Sequence, residues 1–372
     1  MKQGWEIKKL GEVCDILDSQ RKPVTKKDRK EGQYPYYGAT GIQDYVDSYI
    51  FDGRYLLLGE DGAKWGTMDK SAFIIEGKCW VNNHAHILKV HDCLIDTFAE
   101  YYLVFKDLDE YITGAIVRKL TQQALRDIPM LVPPIAEQEK IVAELDCLSG
   151  IIEKKKQQLK ELDNLAQSIF YEMFGDPVEN DKGWEVKKIG EVCIVERGGS
   201  PRPINAFITD DENGVNWIKI GDATEGSRFI TSTKEKIIPE GVRKSRMVYK
   251  GDFILSNSMS FGRPYIMGID GCIHDGWLVL RDKDNVFDKT YLYYYLGSSR
   301  VYQEFKRLAV GGVVNNLNSE LVRGVRVAIP SFSVQQDFAS KIESIEKQKE
   351  LIAQSIKETE TLFNSRMDYY FN

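Results

Sequence analysis

The fold follows from one stretch of sequence that occurs twice, GWEIKKLGEVC at residues 4–14 and GWEVKKIGEVC at residues 183–193. The two stretches share nine of eleven residues at an offset of 179. Further along the chain, GAIVRKL at residues 114–120 matches GGVVNNL at residues 311–317 at an offset of 197. Self-similarity of this kind marks a duplicated structural unit. We therefore predict one module present twice, with about 18 additional residues in the first half of the second copy.

The composition is that of a globular protein with more than one domain. The chain has 372 residues, of which 42% are hydrophobic and 28% charged, and about 100 to 200 residues per domain gives two or three domains. No apolar run approaches the ~18 residues of a membrane helix, and the N-terminus MKQGWEIKKL lacks the apolar stretch of a signal peptide. We therefore expect a cytoplasmic protein. The six cysteines form no C-x-x-C pair, so neither a disulfide framework nor a zinc site is predicted.

The net charge of −6 argues at first against a nucleic-acid partner, because phosphate binding requires accumulated Lys and Arg. The excess acid, however, lies in two segments. Residues 137–176 hold nine acidic and five basic residues, and residues 331–372 hold seven and five. The remainder is neutral, with 40 residues of each sign. Local basic patches that bind DNA are therefore compatible with the overall charge.

Each copy ends in a segment whose apolar residues recur alternately every four and three positions, residues 133–176 in the first copy and 330–372 in the second. Lys155 is the only interruption of the first series. Heptads sustained this long predict long helices that pack along a seam. An amphipathic helix lying on a globular domain would show a similar pattern, but two such segments can bury their apolar faces on each other. The predicted seam residues are Ile141, Leu145, Leu148, Ile152, Leu159, Leu162, Ile169, Phe338, Ile342, Ile345, Ile352, Ile356 and Phe363.

The order of these segments predicts an antiparallel pair, since the first links the two domains and the second ends the chain. About 35 residues at 1.5 Å rise give a rod of roughly 50 Å. The domains themselves, residues 1–132 and 177–329, contain short β-rich runs between Gly, Asn and Asp turns, and one helical stretch near the end of each, DTFAEYYLVFKDL and DKTYLYYYLGSSRVYQEF. We therefore predict an α+β fold, in which two pseudo-symmetric α+β domains are joined by a long antiparallel two-helix coiled coil.

Further motifs occur in a fixed order along the chain. Besides the two opening stretches, they are YPYYGATGI (34–42), GEDGAKWG (59–66), VNNHAHIL (81–88), VPPIAEQEKI (132–141), RGGSPRP (197–203), NWIKIGD (216–222), SNSMSFGRP (256–264) and IPSFSVQQDF (329–338). In their order and duplication, more than in any single motif, these stretches resemble the specificity (S) subunit of type I restriction-modification systems, and the resemblance covers essentially the whole chain.

The resemblance implies two target-recognition domains, each binding one half of a bipartite, asymmetric site in double-stranded DNA. The helical segments are then expected to dock two methyltransferase (M) subunits, which bind S-adenosylmethionine and methylate the N6 of adenine. Restriction (R) subunits that use ATP and Mg²⁺ are expected to join for cleavage. The S subunit itself is expected to be non-catalytic, to bind no cofactor and to make no membrane contact.

The chain offers little for enzyme chemistry. A G-x-x-x-x-G-K-[ST] phosphate loop, a G-x-G-x-x-G fingerprint, an H-E-x-x-H motif and a G-x-S-x-G elbow are all absent from the sequence. His84 and His86 are predicted to lie on one face of a strand, but no acidic or cysteine third ligand stands near them in the sequence. We therefore predict no metal site and favour His84 as a hydrogen-bonding or base-contacting residue. His274-Asp275 is interpreted as a turn and not as a hydrolase pair.

A basic segment near the N-terminus is the first candidate for DNA binding. RKPVTKKDRK at residues 21–30 has six basic residues and one acidic residue, and tyrosines follow it closely. Such a segment can neutralise backbone phosphates, although a solvated loop without a binding function has the same composition. The predicted DNA-binding residues of the first domain are Arg21, Lys22, Lys26, Lys27, Tyr36, Tyr37, Thr40, Lys64, Asn83, His84, Arg118 and Lys119.

Loops that are equivalent by the repeat but differ in polar identity are where two domains can recognise different bases. Arg118-Lys119 corresponds to Asn315-Asn316, and residues 60–64 correspond to residues 256–260 when Gly66 is placed on Gly262. Drift of surface loops would give the same contrast. The predicted DNA-binding residues of the second domain are Arg197, Ser200, Arg202, Lys219, Ser256, Asn257, Ser258, Ser260, Arg263, Asn315 and Asn316, with Arg243, Lys244 and Arg246 as further basic residues.

Three functions are compatible with the sequence. The favoured one is a DNA specificity subunit whose helical rod fixes the distance between half-sites, about one to one and a half turns of DNA for ~35 to 50 Å. A stand-alone nuclease with two DNA-binding lobes is disfavoured, because the sequence shows no carboxylate and lysine cluster. A coiled-coil adaptor that binds only proteins is the third alternative.

Overall fold

The computed structural model describes residues 4–224, 226–257, 262–310 and 317–372. The chain forms two compact units. Unit 1 comprises Met1–Gln157 and Ala353–Asn372, and unit 2 comprises Gln158–Ile352. In the described residues, no helix combines the length and the apolar character needed to cross a membrane.

Unit 1 consists of short strands and helices that precede the first long helix. Its strands are β1 (Glu6–Lys9), β2 (Cys14–Ile16), β3 (Glu31–Gly38), β4 (Gly41–Val46), β5 (Phe51–Gly59), β6 (Ala72–Val81), β7 (Ala85–Val90), β8 (Ile112–Thr113), β9 (Lys119–Leu120) and β10 (Pro129–Val132). Its helices are α1 (Leu10–Val13), α2 (Asp96–Phe105), α3 (Gln122–Asp127) and the first part of the long helix α4 (Ile135–Phe174).

The main sheet of unit 1 has the strand order β2-β7-β5-β6-β3-β4. Strand β5 is antiparallel to both of its neighbours, with Leu56 opposite Ile74 in β6 and opposite Leu88 in β7. Because side chains alternate between the faces of a strand, Leu56 and Leu58 belong to the core that contains α2, whereas Leu57 belongs to a second core on the opposite face. The sheet is therefore covered on both faces, which explains the continuous apolar run of this strand.

Unit 2 repeats this plan in a longer form. Its strands are β11 (Glu185–Lys188), β12 (Cys193–Arg197), β13 (Ile208–Thr209), β14 (Val215–Ile218), β15 (Phe229–Ile230), β16 (Glu235–Ile237), β17 (Arg246–Val248), β18 (Phe253–Ser256), β19 (Pro264–Met267), β20 (Gly271–Ile273), β21 (Trp277–Asp282) and β22 (Arg326–Ile329). Its helices are α5 (Ile189–Val192), α6 (Pro239–Val242), α7 (Lys289–Gly297), α8 (Ser299–Val310), α9 (Ser319–Gly324) and the first part of the long helix α10 (Phe332–Phe371).

Unit 2 divides the strands of this plan between two sheets. The described strands form the sheet β12-β21-β18-β19-β15, in which β12, β21 and β18 correspond to β2, β7 and β5 of unit 1, and the sheet β13-β16-β14-β20-β17. In the second sheet β14 is parallel to β20, as β3 is to β6, so the additional residues between β12 and β18, where the repeat offset grows from 179 to 197, extend this sheet and do not form all of it. In β18, Phe253 and Leu255 face the core that contains α7, and Ile254 faces a separate core, as in β5.

The helical stretch predicted near the end of the second domain is interrupted. Helix α7 ends at Gly297 and α8 begins at Ser299, because Ser298 has an extended backbone. The Ser298 hydroxyl accepts a hydrogen bond from Val301 N at 3.3 Å. Serine at this position satisfies a free N–H at the start of the new helix, so one predicted helix becomes two.

A buried glutamine ties the start of each long helix to its domain. In unit 1, Gln138 Oε1 accepts from Ile95 N at 2.8 Å, and Gln138 Nε2 donates to Cys93 O at 3.0 Å and Pro133 O at 2.7 Å. The corresponding partners of Gln335 in unit 2 are Asp288 N, Val286 O and Pro330 O, at 2.8, 2.9 and 2.9 Å. Identical bonds at equivalent positions establish that the sequence repeat is a structural repeat.

In unit 1, the first part of α4 packs antiparallel to the end of α10. Glu144, early in α4, accepts hydrogen bonds from Tyr370 Oη at 2.5 Å and Arg366 Nη2 at 3.0 Å. Lys155, further along α4, donates to Thr359 Oγ1 at 3.4 Å, earlier in α10. The seam position that lacks an apolar residue is therefore occupied by a lysine with a hydrogen-bond partner.

In unit 2, the last part of α4 packs antiparallel to the first part of α10. The rings of Phe174 and Phe338 lie 5.2 Å apart, and Asp163 forms an ion pair with Lys349 at 2.7 Å. The predicted antiparallel two-helix pairing is confirmed in each unit taken by itself, and so is the α+β class.

All predicted seam residues are buried or half-buried. At the end of each helix, however, the most buried position moves forward by one residue, from Ile169 to Phe170 in α4 and from Arg366 to Met367 in α10. An α-helix has 3.6 residues per turn, so its apolar face drifts against a strict heptad. Phe170 and Met367 belong to the cores of the two domains, which explains why the drift is retained.

Candidate nucleic-acid interface

Three segments that are distant in the sequence meet at one end of the main sheet of unit 1. They are the loop 60–65 after β5, the turn 82–84 between β6 and β7, and the β8–β9 hairpin. Glu60 N donates to His84 O at 2.8 Å, Leu120 N donates to Glu60 O at 2.8 Å, and Asp61 forms an isolated β-bridge with Lys119. We name this region the sheet end of unit 1.

The sheet end exposes several of the predicted DNA-binding side chains. Lys64, Asn83 and His84 are exposed, and Lys119 is half-exposed. His84 Nδ1 lies 2.5 Å from Asp61 Oδ1, which orients the ring. The sequence analysis placed Asp61 in a candidate loop but did not predict that it orients His84, because this role depends on a neighbour 23 residues away.

Thr40 is brought to the same end by the turn between β3 and β4. Asn82 N donates to Tyr37 O at 3.0 Å, and Asn82 Nδ2 donates to Gln43 Oε1 at 3.2 Å, so this turn is tied to the turn 82–84. Thr40 itself is exposed. Hydroxyl, amide, imidazole and ammonium groups therefore lie together on one surface, which is the chemistry that base edges and phosphates require.

Beneath this surface lies a buried charge cluster formed by Asp18, Arg21, Glu60, His86 and Lys119. Arg21 Nη1 contacts Glu60 Oε2 at 2.6 Å and Arg21 Nη2 contacts Asp18 Oδ2 at 3.3 Å, with only 11% of the Arg21 side chain exposed. The prediction of Arg21 as a phosphate contact is therefore corrected, because its guanidinium is occupied in the interior. Lys119 reaches the same cluster from the surface, 2.6 Å from Glu60 Oε1.

The acids of the buried charge cluster are held in their ionised form. Burial by itself raises the pKa of Asp18, but the hydrogen bond and charge of His86 and the charge of Arg21 bring this pKa below its ordinary value. Burial also raises the pKa of Glu60, while Lys119 and Arg21 lower it, with the same net direction. Stability that depends on these carboxylates is present at neutral pH and is lost as the pH falls through their lowered pKa values.

The sequence analysis found no third metal ligand near His84 and His86, and the buried charge cluster tests that reasoning. That reasoning was wrong for His86, since Asp18 and Glu60 bring carboxylate oxygens within 4.8 Å of its ring nitrogen. Both ring nitrogens are nevertheless engaged, Nδ1 with Asp18 Oδ2 at 2.6 Å and Nε2 with Leu120 O at 2.8 Å. Arg21 and Lys119 already provide positive charge to the carboxylates. The geometry is that of a closed ion-pair network.

Tyr36 and Tyr37, which follow the basic segment, pack wholly or partly in the interior. Tyr36 is 1% exposed, and its hydroxyl accepts from Val24 N at 3.1 Å, so it is not available to stack on a base. Tyr37 is half-buried, with its ring 6.1 Å from that of Phe73. Burial thus corrects the prediction for Tyr36 and leaves only part of Tyr37 accessible. By contrast, Lys22, Lys26 and Lys27 are exposed and available to phosphates.

Arg118 lies at the surface of the β8–β9 hairpin. Its guanidinium is 2.8 Å from Asp109 Oδ1 and 5.7 Å from the centre of the Trp65 ring. Its side chain is 53% exposed. Arg118 can therefore contact DNA from this position if its exposed ion pair with Asp109 is broken.

In unit 2, the turn that contains Asp275 organises the corresponding region, which we name the sheet end of unit 2. Asp275, in the turn before β21, accepts from Ser200 Oγ at 2.9 Å through its side chain, and its carbonyl accepts from Arg197 Nε at 2.9 Å and Asn257 Nδ2 at 3.0 Å. Arg202 lies 3.7 Å from Asp275 Oδ2 and is 83% exposed. The interpretation of 274–275 as a turn agrees with this geometry, but the sequence did not indicate that the turn gathers four predicted DNA-binding residues.

Several predicted residues of unit 2 are less accessible than expected. Ser256 and Asn257 are buried, at 1% and 3% exposure, so their predicted contacts to bases are corrected. Lys219 is half-buried and forms an ion pair with Glu235. Arg197 and Arg202 are exposed, and Ser200 and Arg263 are half-exposed. The predictions for Ser258, Ser260, Asn315 and Asn316 lie outside the described residues.

Strand register also corrects the predicted alignment of the two loops. Gly59 lies opposite Ala85 in β5–β7, and Ser256 lies opposite Trp277 in β18–β21, so Gly59 corresponds to Ser256. Glu60 therefore corresponds to Asn257, one residue away from the predicted match. The common glycines suggested an offset of 196, whereas hydrogen bonding gives 197, the offset found for GAIVRKL and for the long helices. A charged, paired residue in one unit thus stands where the other has a buried amide.

Comparison with known proteins finds one family model in both copies of the repeat. The family model described as "Type I restriction modification DNA specificity domain" matches residues 2–164 and again residues 181–361. The chain belongs to this family. Relatives in this family are named specificity subunits, which are non-catalytic. This chain is likewise a non-catalytic specificity subunit.

Relatives and solved structures agree over nearly the full length. A putative type I restriction enzyme specificity subunit of Haemophilus influenzae is 28% identical over 375 residues, which covers 98% of this chain and 94% of that protein. The S subunit of the type I restriction-modification system of M. genitalium superposes with a TM-score of 0.58 at 12% identity, covering 99% and 97%. A chain from a structural study of complex assembly and conformational transition in the type I R-M system gives a TM-score of 0.59 at 17% identity, covering 100% and 98%. At these identities the structures support the specificity-subunit fold.

Proposed function

We propose that this specificity subunit binds a bipartite, asymmetric DNA sequence, with one half-site recognised by the sheet end of each unit. The observation that carries the proposal is the combination of an equivalent scaffold with unlike polar ends. The buried glutamines and strand registers correspond between units. The exposed groups do not correspond, since unit 1 presents His84 and Asn83 where unit 2 presents a turn organised by Asp275.

Exposed cations supply the sequence-independent part of binding. In unit 1 these are Lys22, Lys26, Lys27 and Lys64, and in unit 2 Arg197 and Arg202. Phosphate contacts set the position of a protein on the duplex, and contacts to base edges determine the sequence. The neutral balance of the domains, outside the acidic helices, is sufficient for such local contacts.

We further propose that each unit docks one methyltransferase subunit through the outer face of its C-terminal half-helix. Helices α4 and α10 have eight identical residue pairs at the offset of 197. Only two of these pairs are buried, Gln138/Gln335 and Phe174/Phe371. The other six are exposed in both helices: Glu153/Glu350, Gln157/Gln354, Lys160/Lys357, Glu161/Glu358, Leu165/Leu362 and Ser168/Ser365.

Packing does not explain identity on an exposed face. The seam itself has diverged, for example from Leu162 to Thr359 and from Ile152 to Lys349. A shared partner does explain it, because two copies of one protein require the same contacts twice. We name Lys160, Glu161, Leu165 and Ser168 in unit 2 and Lys357, Glu358, Leu362 and Ser365 in unit 1 the docking patches. Leu165 and Leu362, 47% and 50% exposed, are their apolar centres.

The remaining parts of the proposed assembly lie in its partners. The methyltransferase subunits bind S-adenosylmethionine and methylate N6 of adenine, and restriction subunits use ATP and Mg²⁺ for cleavage. The paired helices, each 40 residues long and continuous across the boundary of the units, set the distance between half-sites. The chain thus supplies recognition and assembly without chemistry of its own.

The DNA part of the proposal is tested by methylation sequencing of the host genome with and without this gene. We expect a motif of two short blocks separated by unspecified bases, present only with the gene. In a strain with His84→Ala, we expect relaxed recognition at one position of one block, since a lost base contact costs about 1 to 3 kcal/mol. The control is Lys89→Ala, an exposed residue in the same strand as His86, which should leave the motif unchanged. A methylation pattern independent of the gene would instead favour a protein-only adaptor.

The docking part is tested by native mass spectrometry of the assembled complex. Leu165→Ser is expected to weaken one methyltransferase site about tenfold, Leu362→Ser the other, and the double variant both, because removal of an apolar anchor costs at least about 1 kcal/mol. The matched control is Leu351→Ser, which is 68% exposed on α10 but has Lys154 as its counterpart. Equal loss with the control, or full occupancy in the double variant, contradicts the docking patches.

A further inference from the structure

The tip of the β8–β9 hairpin in unit 1 exposes two aliphatic side chains that the fold does not use. Ile116 is 97% exposed and Val117 is 66% exposed. The next apolar residue, Leu120, is fully buried and anchors the hairpin to the core. Burial of an isoleucine contributes about 1.5 to 3 kcal/mol, so a residue exposed to this degree contributes nothing of that kind to folding.

The tip is held outward by a tight turn. Gly114 has a φ of +94°, and a Cβ at this position would come within 2.1 Å of Val117 O. Thr113 Oγ1 donates to Lys119 O at 3.2 Å across the base of the turn. The hairpin is therefore closed by a tight turn, and Ile116 projects into solvent from its tip.

Two cations lie next to this apolar tip and connect it to the rest of the sheet end. Arg118 and Lys119 follow it directly, and Asp61, the partner of His84, forms a β-bridge with Lys119. A specific protein interface covers about 800 Å² on each partner, which is far more than two side chains with charged neighbours provide. An apolar wedge between stacked base pairs, by contrast, needs one or two aliphatic side chains beside phosphate-binding cations.

The second copy of the repeat has the same apolar pair in its sequence. Ile116 and Val117 correspond to Val313 and Val314, which lie outside the described residues, while the following polar pair changes from Arg118-Lys119 to Asn315-Asn316. A function common to both copies, independent of the bases read, accounts for the retained aliphatic residues. Base recognition accounts for the change that follows.

We propose that Ile116, supported by Val117, is a wedge that enters a base-pair step of the half-site bound by unit 1, separates the two stacked pairs and bends the duplex. This inference rests on the proposed DNA binding and adds to it a residue that deforms the DNA and reads no base. The wedge contributes affinity and shape selectivity, because flexible pyrimidine–purine steps open most easily.

The test uses the full chain assembled with its methyltransferase subunits, bound to its own mapped site. 2-Aminopurine is placed in turn at positions of the half-site other than the methylated adenine, since extrusion of that base also raises fluorescence. We expect increased fluorescence at one step with the wild-type chain, and loss of the increase with Ile116→Ser together with about tenfold weaker binding. Ile116→Phe should restore the signal. Ile7→Ser, an equally simple change of a 58% exposed isoleucine in β1, should have no effect.

Two failures are distinguishable. Binding of the mapped site without increased fluorescence at any step, or an increase that persists in Ile116→Ser, overturns the wedge and leaves DNA recognition intact. Absence of sequence-specific binding by the wild-type assembly overturns both proposals. A base preference relaxed only at the opened step in the Ile116→Ser strain agrees with the wedge. Changed bases elsewhere in the half-site contradict it, since such a result would assign base recognition to this residue.

Discussion

Replacement of Arg21 by Met is expected to lower the stability of unit 1 by about 3 to 5 kcal/mol, the usual cost of leaving a buried charge without its partner. Arg21 contacts Asp18, Glu60 and Ala85 O, and 11% of its side chain is exposed. Its removal leaves two carboxylates, 5% and 9% exposed, with His86 and Lys119 as their remaining charged partners. Methionine occupies a similar volume, so the loss is one of charge and hydrogen bonding.

Because the chain has two units, a single unfolding transition cannot be assumed. The measurement is therefore hydrogen exchange in increasing urea, followed at amides of β5 and β7. Lys22→Met is the matched control, since Lys22 is the next residue and its side chain is exposed. It should change stability by less than about 0.5 kcal/mol. Unchanged protection in Arg21→Met, with weaker DNA binding, would return Arg21 to the role of a phosphate contact.

The same variant has a defined dependence on pH. In the wild-type protein the pKa values of Asp18 and Glu60 lie below their ordinary values, so both acids are ionised at neutral pH. Without Arg21, burial favours the protonated forms, and the pKa values rise. The stability difference between variant and wild type should therefore shrink as the pH falls from 7 towards about 4. A difference that is constant over this range would show that lost packing, and not charge, causes the effect.

Insertion of one heptad into both long helices is expected to lengthen the gap between the two half-sites. The inserted residues duplicate 151–157 in α4 and 348–354 in α10, which correspond at the offset of 197. Seven residues add about 10 Å of helix, equal to about three base pairs of DNA. A multiple of seven returns the apolar face to the seam, so pairing of the helices is retained.

The gap between the half-sites is expected to grow by about three base pairs at most. Each added base pair also turns one half-site by about 35° around the duplex, and the protein must match rotation as well as distance. Methylation sequencing measures the result directly. Both half-sites should keep their bases, because the insertion lies outside the sheet ends. An altered half-site, or an unchanged gap, contradicts a spacer role for the helices.

The control is the same insertion in α4 alone. This variant cannot keep both the Glu144–Arg366 contact of unit 1 and the Asp163–Lys349 contact of unit 2 in one continuous register. We expect it to lose stability and sequence-specific methylation together. If it behaves like the double insertion, the pairing of the helices is not what sets the distance.

Individual DNA-binding residues were the least predictable part of the candidate site. The sequence analysis selected Arg21 and Lys22 for the same reason, as neighbours in a basic segment. One is buried against two acids and the other is exposed. The difference depends on Asp18 and Glu60, and Glu60 is 39 residues from Arg21. Composition of a segment does not contain that information.

The same limit explains the roles that the sequence analysis missed. Asp61 orients His84, and Asp275 gathers Ser200, Arg197 and Asn257, through contacts that span 18 to 78 residues. The residue-by-residue match of the two loops was also wrong by one position, because two glycines align in sequence while the strands align through their hydrogen bonds. No local pattern distinguishes such residues from ordinary loop residues.

The sequence by itself determined the duplicated plan, the α+β class and the antiparallel helices. Repeats and heptads are periodic patterns, and the placement of apolar side chains on one face of a helix or strand is decided within a few turns of chain. The tertiary structure alone decided which charged and polar side chains face solvent at each sheet end. Those side chains lie on loops between strands, and their exposure depends on strand pairing and on ion-pair partners that are distant in the chain. Pairing energies of that kind are summed over contacts that form only when the whole unit has folded.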